Sequence, residues 1–151
     1  WGKRRLNRAT SICICVFGRN LLGASAFKKR HIDKASGNLF IDIDCVGDGE
    51  HLLLLPSKHS RWDSRLLEAL EEAFPKGGTM EPHLRTKGLH YYPSDNRKFK
   101  FHVVVCACRH LAGLGYYIPH LRTRRDTALD EDNIAYVTEG LARFLPLYLE
   151  Q

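Results

Sequence analysis

Several sequence patterns that mark common functional classes are missing from this chain of 151 residues. No stretch approaches the roughly 18 consecutive apolar residues that a membrane-spanning helix needs, so we expect a soluble domain. No Walker loop and no Rossmann glycine pattern is present, so no nucleotide cofactor is indicated. The eight histidines include no H-x-H, H-E-x-x-H or H-x-T pair, and Ser57 and Ser60 lack a nucleophile-elbow context. No catalytic triad is therefore predicted, and we expect a protein that is not an enzyme.

Acidic residues are outnumbered by basic ones, 17 to 23, which gives a net charge of +6 and a pI of about 9.2. This excess favours a polyanionic partner. The chain is long enough to close a core, so residues 1–151 are expected to form one domain. The basic segment at residues 3–8 lacks the apolar stretch of a secretory signal, and the first residue is Trp1. We therefore expect an upstream segment that is removed in the cell or lies outside this chain.

The five cysteines, an odd number, lie in apolar surroundings. They are Cys13, Cys15, Cys45, Cys106 and Cys108. This pattern predicts reduced, buried thiols in a reducing compartment. The alternative is a zinc site, which would combine Cys106, Cys108 and His110 with Cys13 or Cys15. The C-x-C pairs lack the usual ligand turn of zinc sites, so no metal cofactor is predicted.

The sign of the charge changes along the chain in two matching rounds. Residues 1–34 carry nine basic residues and one acidic residue, and residues 35–75 carry three and eight. Residues 76–125 carry ten and two, and residues 126–151 carry one and six. This repetition predicts a structural unit used twice, over about residues 9–75 and about residues 76–151. Positive charge gathered on one surface is typical of a protein that binds a phosphate backbone.

Hydrophobic patterning and turn residues predict the elements of the first unit. A strand is expected over residues 11–17. A hairpin follows over residues 38–55, with its turn at residues 47–49. A pattern like a capping box then starts a helix over residues 60–74. Its buried stripe is expected to contain Trp62, Leu66, Leu70 and Phe74.

The second unit repeats this order of strands and helix. Short strands are expected near residues 89–92, a long strand over residues 97–110 and another over residues 116–121. A helix begins at about Asp130. Its buried stripe is expected to contain Ile134, Val137, Leu141 and Leu145. Sequential strands joined by short turns predict antiparallel sheets with helices packed on one side, which is an α+β fold.

Alternation in the long strand predicts which of its faces would meet a ligand. One face is apolar and carries Phe99, Phe101, Val103, Val105 and Ala107. The other face begins with Lys98, Lys100 and His102 and continues with Val104, Cys106 and Cys108. The basic end of this second face is expected to be open and to belong to a binding surface.

Four segments resemble, in the same order, motifs of the Whirly family of single-stranded nucleic-acid-binding proteins. Residues 37–43 (G-N-L-F-I-D-I) are similar to its G-x-L-x-L-x-F strand, and residues 81–83 (E-P-H) to its short segment containing F-H-D-P. Residues 116–119 (Y-Y-I-P) resemble its Y-I-P strand end. Residues 144–149 (F-L-P-L-Y-L) resemble its C-terminal F-V-L-P-Y-L, which is the most specific match, because proline is unusual inside a helix.

The resemblance implies a fold of two ββββα repeats, with antiparallel sheets backed by helices, and assembly as a tetramer. Residues 18–23 echo the family's K-G-K-A-A-L-S signature only loosely, and its D-W-x-R-K-Q segment is absent. We therefore favour the kinetoplastid mitochondrial branch, which implies a heterotetramer with a homologous partner subunit in the mitochondrial matrix. Its implied function is sequence-tolerant binding of single-stranded RNA and annealing of guide RNA to pre-edited mRNA. Single-stranded DNA binding, as in the plant branch, is the alternative.

Twelve basic residues are the candidates for contact with the RNA phosphates. All of them lie in the two basic blocks, residues 1–34 and 76–125, and cations on one surface neutralise a phosphate backbone. They are Arg19, Lys28, Lys29, Arg30, Lys34, Arg85, Lys87, Arg97, Lys98, Lys100, Arg122 and Arg124.

A metal-dependent, primase-like nucleotidyl transferase is a further alternative. Asp42 and Asp44 form a D-x-D pair on one predicted strand, and His90 ends a T-K-G-L-H segment. Two carboxylates on one strand face can hold Mg²⁺ and orient a phosphoryl group. The predicted tight hairpin leaves no room for a nucleotide site, so we expect these two aspartates to lie on the solvated face of a sheet.

Overall fold

The computed structural model describes residues 14–16, 21–31, 38–84, 98–121, 123–125 and 127–149. These described residues form three α-helices and five strands, so the predicted α+β class is confirmed. The elements are α1 (Leu21–His31), β1 (Phe40–Ile43), β2 (His51–Pro56), a 3-10 turn (Ser60–Trp62), α2 (Ser64–Ala73), β3 (Glu81–Leu84), β4 (His102–Leu111), β5 (Gly115–Tyr117) and α3 (Glu131–Leu149).

The strands form one mixed sheet in the order β1-β4-β2-β3, and β5 pairs with the end of β4. β1 is parallel to β4, with Ile41 opposite Val103. β2 is parallel to β3 and antiparallel to β4, with Leu54 opposite Val105. The prediction of purely antiparallel sheets is therefore wrong. The parallel pair β2–β3 exists because α2 connects the two strands, as a helical crossover does in a βαβ unit.

The predicted hairpin over residues 38–55 is wrong as well, because β4 lies between its two arms. On one side of β4, the Asp44 N–H donates a hydrogen bond to the Val105 carbonyl at 3.0 Å. On the other side, the Glu50 N–H donates to the Cys108 carbonyl, also at 3.0 Å. Gly49 makes this passage possible, because a Cβ on it would collide with the Cys108 backbone. The two arms are thus separated by two strand spacings, about 10 Å.

Both faces of the central strands are buried. Helices α2 and α3 cover one face, whose core contains Leu52, Leu54, Val103, Val105 and Ala107 together with Leu66, Leu70, Phe74, Val137 and Phe144. Alternate residues point to the opposite face, where Leu53, Val104, Cys106 and Cys108 are at most 3% exposed. The predicted alternation along β4 is thereby confirmed over residues 103–108.

The predicted helix over residues 60–74 is α2, which begins later than predicted, at Ser64. Asp63 is the N-cap of α2, and its Oδ1 accepts a hydrogen bond from the Leu66 N–H at 3.1 Å. Leu66 and Leu70 are buried as predicted, but Trp62 precedes the cap in the 3-10 turn and is 83% exposed. The prediction that Trp62 belongs to the buried stripe is therefore wrong.

The last helix, α3, starts where the sequence predicts. Asp130 Oδ1 accepts a hydrogen bond from the Asp132 N–H at 2.9 Å. The buried residues of α3 are Asn133, Tyr136, Val137, Gly140 and Phe144, which shifts the stripe by one position from the predicted one and leaves Ile134 36% exposed. Gly140 fixes this register, because a Cβ there would collide with the ring of Phe74, the C-cap residue of α2.

A twofold ββββα repeat is not visible in the described residues, where two strands precede α2 and three follow it. The predicted strand at 11–17 is described only at residues 14–16, which are not in a strand, and the strands near 89–92 lie outside the described residues. Helix α1, Leu21–His31, lies between the predicted strand at 11–17 and the predicted hairpin, where no element was predicted. Among the described helices, none is long and apolar enough to cross a membrane.

Candidate nucleic-acid interface

The twelve candidate phosphate contacts divide evenly between described and undescribed positions. Arg19, Lys34, Arg85, Lys87, Arg97 and Arg122 lie outside the described residues. Lys28, Lys29, Arg30, Lys98, Lys100 and Arg124 are described, and all of them are exposed except Lys98, which is half-buried.

Three of these cations lie in the last turn of α1. Lys28, Lys29 and Arg30 are followed there by His31, and all four are exposed. Cations at a helix C-terminus are stabilised by the partial negative charge of the unpaired carbonyls. Ala24, one turn earlier, is fully buried, so α1 packs through a small residue and presents its cations to solvent.

A hydrogen bond joins this helix end to the second basic segment. The Lys28 ammonium donates to the backbone carbonyl of Lys98, which lies 70 residues further along the chain. We call the five cations that this contact brings to one place the basic surface. It consists of Lys28, Lys29, Arg30, Lys98 and Lys100.

Lys98 and Lys100 precede β4 and are not part of it, so the prediction that they lie on a strand face is wrong. The segment is held by Phe99, which is 7% exposed and stacks on the Phe40 ring with centroids 3.8 Å apart. Phe101, predicted to face the apolar side, is 39% exposed, and the Lys100 Nζ lies 5.3 Å from its ring centroid. The basic surface is thus at the end of the sheet where β4 begins.

Sequence reasoning missed a second segment that adjoins the basic surface. We call residues 57–62, between β2 and α2, the serine turn. Ser57 Oγ donates to the Lys100 carbonyl at 2.9 Å, and the Ser57 N–H donates to the His102 carbonyl at 2.8 Å. Lys58 and Arg61 in this turn are exposed. The two cations were overlooked because they belong to a block whose net charge is negative.

Arg124 is the remaining described candidate. It lies in a turn after β5, where the Arg125 N–H donates to Thr123 Oγ1 at 3.2 Å. β5 pairs with Arg109–Leu111, the end of β4 away from Lys98. Arg124 therefore follows the opposite end of the sheet from the basic surface.

The aspartates of the primase-like alternative lie on and just after β1, and both are half-buried. The Cys45 thiol donates to Asp44 Oδ1 at 3.3 Å. In the described part of the chain, no group of three or more His, Cys, Asp or Glu side chains is placed to hold a metal ion. His90 lies outside the described residues. Because Asp42 is not in a hairpin, the expected lack of room there is no longer an argument against this alternative.

The cysteines considered for zinc have the properties of inert core residues. Burial raises the pKa of the Cys106 and Cys108 thiols to about 12, whereas zinc ligands are thiolates. Both cysteines are free thiols, and Cys13 lies outside the described residues. His110, the proposed third ligand, is exposed, and its ring centroid lies 5.0 Å from that of Tyr116.

A cluster of His51, His83, His110 and Tyr116 was also missed, because its members come from four different strands. His51 Nδ1 lies 3.0 Å from His83 Nε2, and the Tyr116 hydroxyl lies 3.4 Å from the His83 ring nitrogens. Burial, followed by the neighbouring His51, lowers the pKa of His83. The spacing of these residues in the sequence gives no sign of the cluster, since only the sheet order brings them together.

Comparison with known proteins identified no relative of this chain. No family model, no curated protein and no solved structure matches the chain. The resemblance to the Whirly family accordingly rests on the sequence segments quoted above.

Proposed function

We propose that this protein binds single-stranded RNA through the basic surface and is not an enzyme. The observation that carries the proposal is the contact between Lys28 and the Lys98 carbonyl, which joins the two basic segments of the chain in one place. Five cations at one end of a sheet, four of them exposed, fit the repeated negative charges of a phosphate backbone.

The physical consequence is a sequence-tolerant binding mode. Lysine ammonium groups neutralise phosphates without reading bases, so affinity comes from the release of counterions. Neutralising two strands that otherwise repel each other lowers the barrier to their pairing. Annealing of one RNA to another, such as a guide RNA to its mRNA, is therefore part of the proposal.

The resemblance to the kinetoplastid branch of the Whirly family extends the proposal to location and assembly. We infer a mitochondrial protein that forms a tetramer with a homologous partner subunit. We expect sedimentation to show an oligomer, either of the isolated chain or of the chain mixed with its homologous partner subunit. A monomer under both conditions would contradict the assembly and leave the RNA-binding proposal standing.

Charge reversal at matched places tests the binding surface. We expect Lys98→Glu with Lys100→Glu, or Lys28→Glu with Lys29→Glu, to lower the affinity for a single-stranded RNA by at least tenfold at 0.15 M salt. The matched control is Lys76→Glu with Arg125→Glu, because both residues are exposed and neither belongs to the basic surface. Charges beyond a Debye length of about 8 Å are largely screened at that salt, so the control should lose little affinity.

Fluorescence anisotropy of labelled single-stranded RNA, single-stranded DNA and duplex would measure these affinities. Equal losses in the surface and control variants would mean that only net charge matters and that the surface is misplaced. Tighter binding of single-stranded DNA than of RNA would favour the alternative, a protein that binds single-stranded DNA.

A further inference from the structure

The serine turn, residues 57–62, is held rigidly from the inside. Ser57 is 8% exposed and Ser60 is 1% exposed, and their hydroxyl oxygens are 2.9 Å apart. The Ser60 N–H also donates to Ser57 Oγ at 3.0 Å, and the Arg61 N–H donates to the Ser57 carbonyl at 3.0 Å. Buried hydroxyl groups with several partners fix a turn in one conformation, because breaking these bonds would leave polar atoms unsatisfied.

This inner anchoring leaves the other side chains of the turn facing outward. His59 is exposed, and Trp62 is 83% exposed, more than any described phenylalanine or tyrosine. Lys58 and Arg61 alternate with these two rings in the sequence K-H-S-R-W. Cations interleaved with exposed aromatic rings are the arrangement with which proteins hold unpaired nucleotides.

The turn adjoins the basic surface through both backbone and rings. Ser57 Oγ is bonded to the Lys100 carbonyl, and the His59 ring centroid lies 5.9 Å from that of Phe101. Phe101 is itself partly exposed and lies under the Lys100 ammonium. A nucleic acid whose phosphates contact Lys100 would therefore pass within reach of aromatic rings.

We propose that His59, Trp62 and Phe101 form a platform on which unpaired bases stack while their phosphates lie on the basic surface. The inference rests on the proposed function and deepens it. It adds contacts to bases that the basic surface alone does not make. Stacking accepts every base but requires bases that are not already paired, so the platform selects single strands over duplex without reading sequence.

The intrinsic fluorescence of Trp62 provides a direct test. The chain has two tryptophans, so a Trp1→Phe background leaves Trp62 as the single indole. We expect an unstructured RNA of about 12 nucleotides to quench this fluorescence. An abasic oligomer with the same number of phosphates should bind without the same quenching, because it has no rings to stack.

Affinity measurements complete the test. Trp62→Ala should lower the affinity for the RNA at least about 5-fold, equivalent to about 1 kcal/mol, and leave the affinity for the abasic oligomer unchanged. Tyr117→Ala is the matched control, because Tyr117 is 40% exposed on β5 and pairs with Arg109 near the far end of β4. Thermal melting of both variants checks that each still folds.

The outcomes separate the two proposals. RNA binding without quenching and without loss in Trp62→Ala would overturn the platform and leave the basic surface in place. Equal loss for the RNA and the abasic oligomer would mean that Trp62 acts through the phosphate contacts, which also overturns the platform. Absence of any binding by the wild-type chain would remove both proposals.

Discussion

The surroundings of the His83 side chain lower its pKa. His83 is half-buried between His51 and Tyr116, and both burial and the adjacent imidazole disfavour its charged form. Glu81 on the same strand works in the opposite direction, while Lys76 and His110 add to the lowering. Two imidazoles whose nitrogens are 3.0 Å apart can share one proton but are not both cationic without repulsion.

Acid should therefore destabilise the fold through this cluster. The pKa of His83 is lowered in the folded state, so below its ordinary value of 6.5 the unfolded chain binds more protons than the folded one. The contribution of His83 to stability is fully present above pH 6.5 and is lost as the pH falls towards the pKa of His83 in the folded state. Melting temperatures measured between pH 7.5 and 5.5 give the slope of stability against pH. His83→Gln should flatten it, whereas the exposed His31→Gln should not, and identical slopes in both variants would refute this account.

Thiol reactivity gives a second prediction at this scale. Cys106 and Cys108 are at most 1% exposed and have a pKa of about 12, so they present neither access nor thiolate at pH 8. Iodoacetamide should label the half-buried Cys15 and Cys45 in the native protein and reach Cys106 and Cys108 only after unfolding. Peptide mass spectrometry resolves the positions. Rapid labelling of Cys106 in the native protein would show that this face of the sheet opens.

At the scale of elements, one carboxylate connects helices α2 and α3. Asp63 caps α2 with one oxygen, and its other oxygen accepts a hydrogen bond from the Tyr148 hydroxyl of α3 at 3.1 Å. Burial and the nearby Asp63 raise the pKa of Tyr148. The start of one helix and the end of another therefore depend on the same side chain.

Removing that carboxylate should cost more than the loss of a helix cap alone. We expect Asp63→Ala to lower the free energy of unfolding by about 2 kcal/mol, since a cap contributes about 1 kcal/mol and a hydrogen bond a similar amount. Asp63→Asn should retain most of the stability, because asparagine caps helices well and keeps an oxygen in place. Urea denaturation compares the two variants, and equal losses would mean that capping is not the cause.

The elements that the sequence predicted well are those whose signals are local. Asp130 at the start of α3, the Leu66–Leu70 spacing of α2 and the alternation over residues 103–108 each depend on neighbours within about one or two turns. The hairpin failed because a Gly-Asp-Gly turn specifies a reversal of the chain but not how far apart its arms lie. β4, which separates them, comes about 50 residues later in the sequence. No local pattern contains that information.

At the scale of the whole molecule, the same division applies to the candidate site. Net charge and its blocks pointed to cations at Lys28–Arg30 and Lys98–Lys100, but only the fold shows that these segments touch. The charge pattern did not indicate the serine turn, because Lys58 and Arg61 lie in a block that contains eight acidic residues. A binding surface is a property of tertiary structure, and block charges along the chain predict it only in part.

Salt should act on the protein as a whole in a simple way. If six or more phosphates are contacted, affinity for single-stranded RNA should fall on the order of 10³-fold over a fourfold rise in salt. Sequence should matter little, because lysines carry most of the surface. Titrations at 50 to 200 mM salt with several unrelated RNA sequences measure both effects. A salt-independent affinity would contradict phosphate binding.

The position of β4 between β1 and β2 has a consequence for how the chain folds. β2, α2 and β3 are neighbours in sequence and can assemble early, whereas β1 has no partner among the described strands until residues 102–105 arrive. The Lys28–Lys98 contact also requires this part of the chain, because Lys98 lies just before β4. Non-local pairing of this kind slows folding, so the basic surface should be among the last parts to form. Pulse-labelling hydrogen exchange during refolding would show β1 amides gaining protection no earlier than those of β4, and earlier protection of β1 would rule out this order.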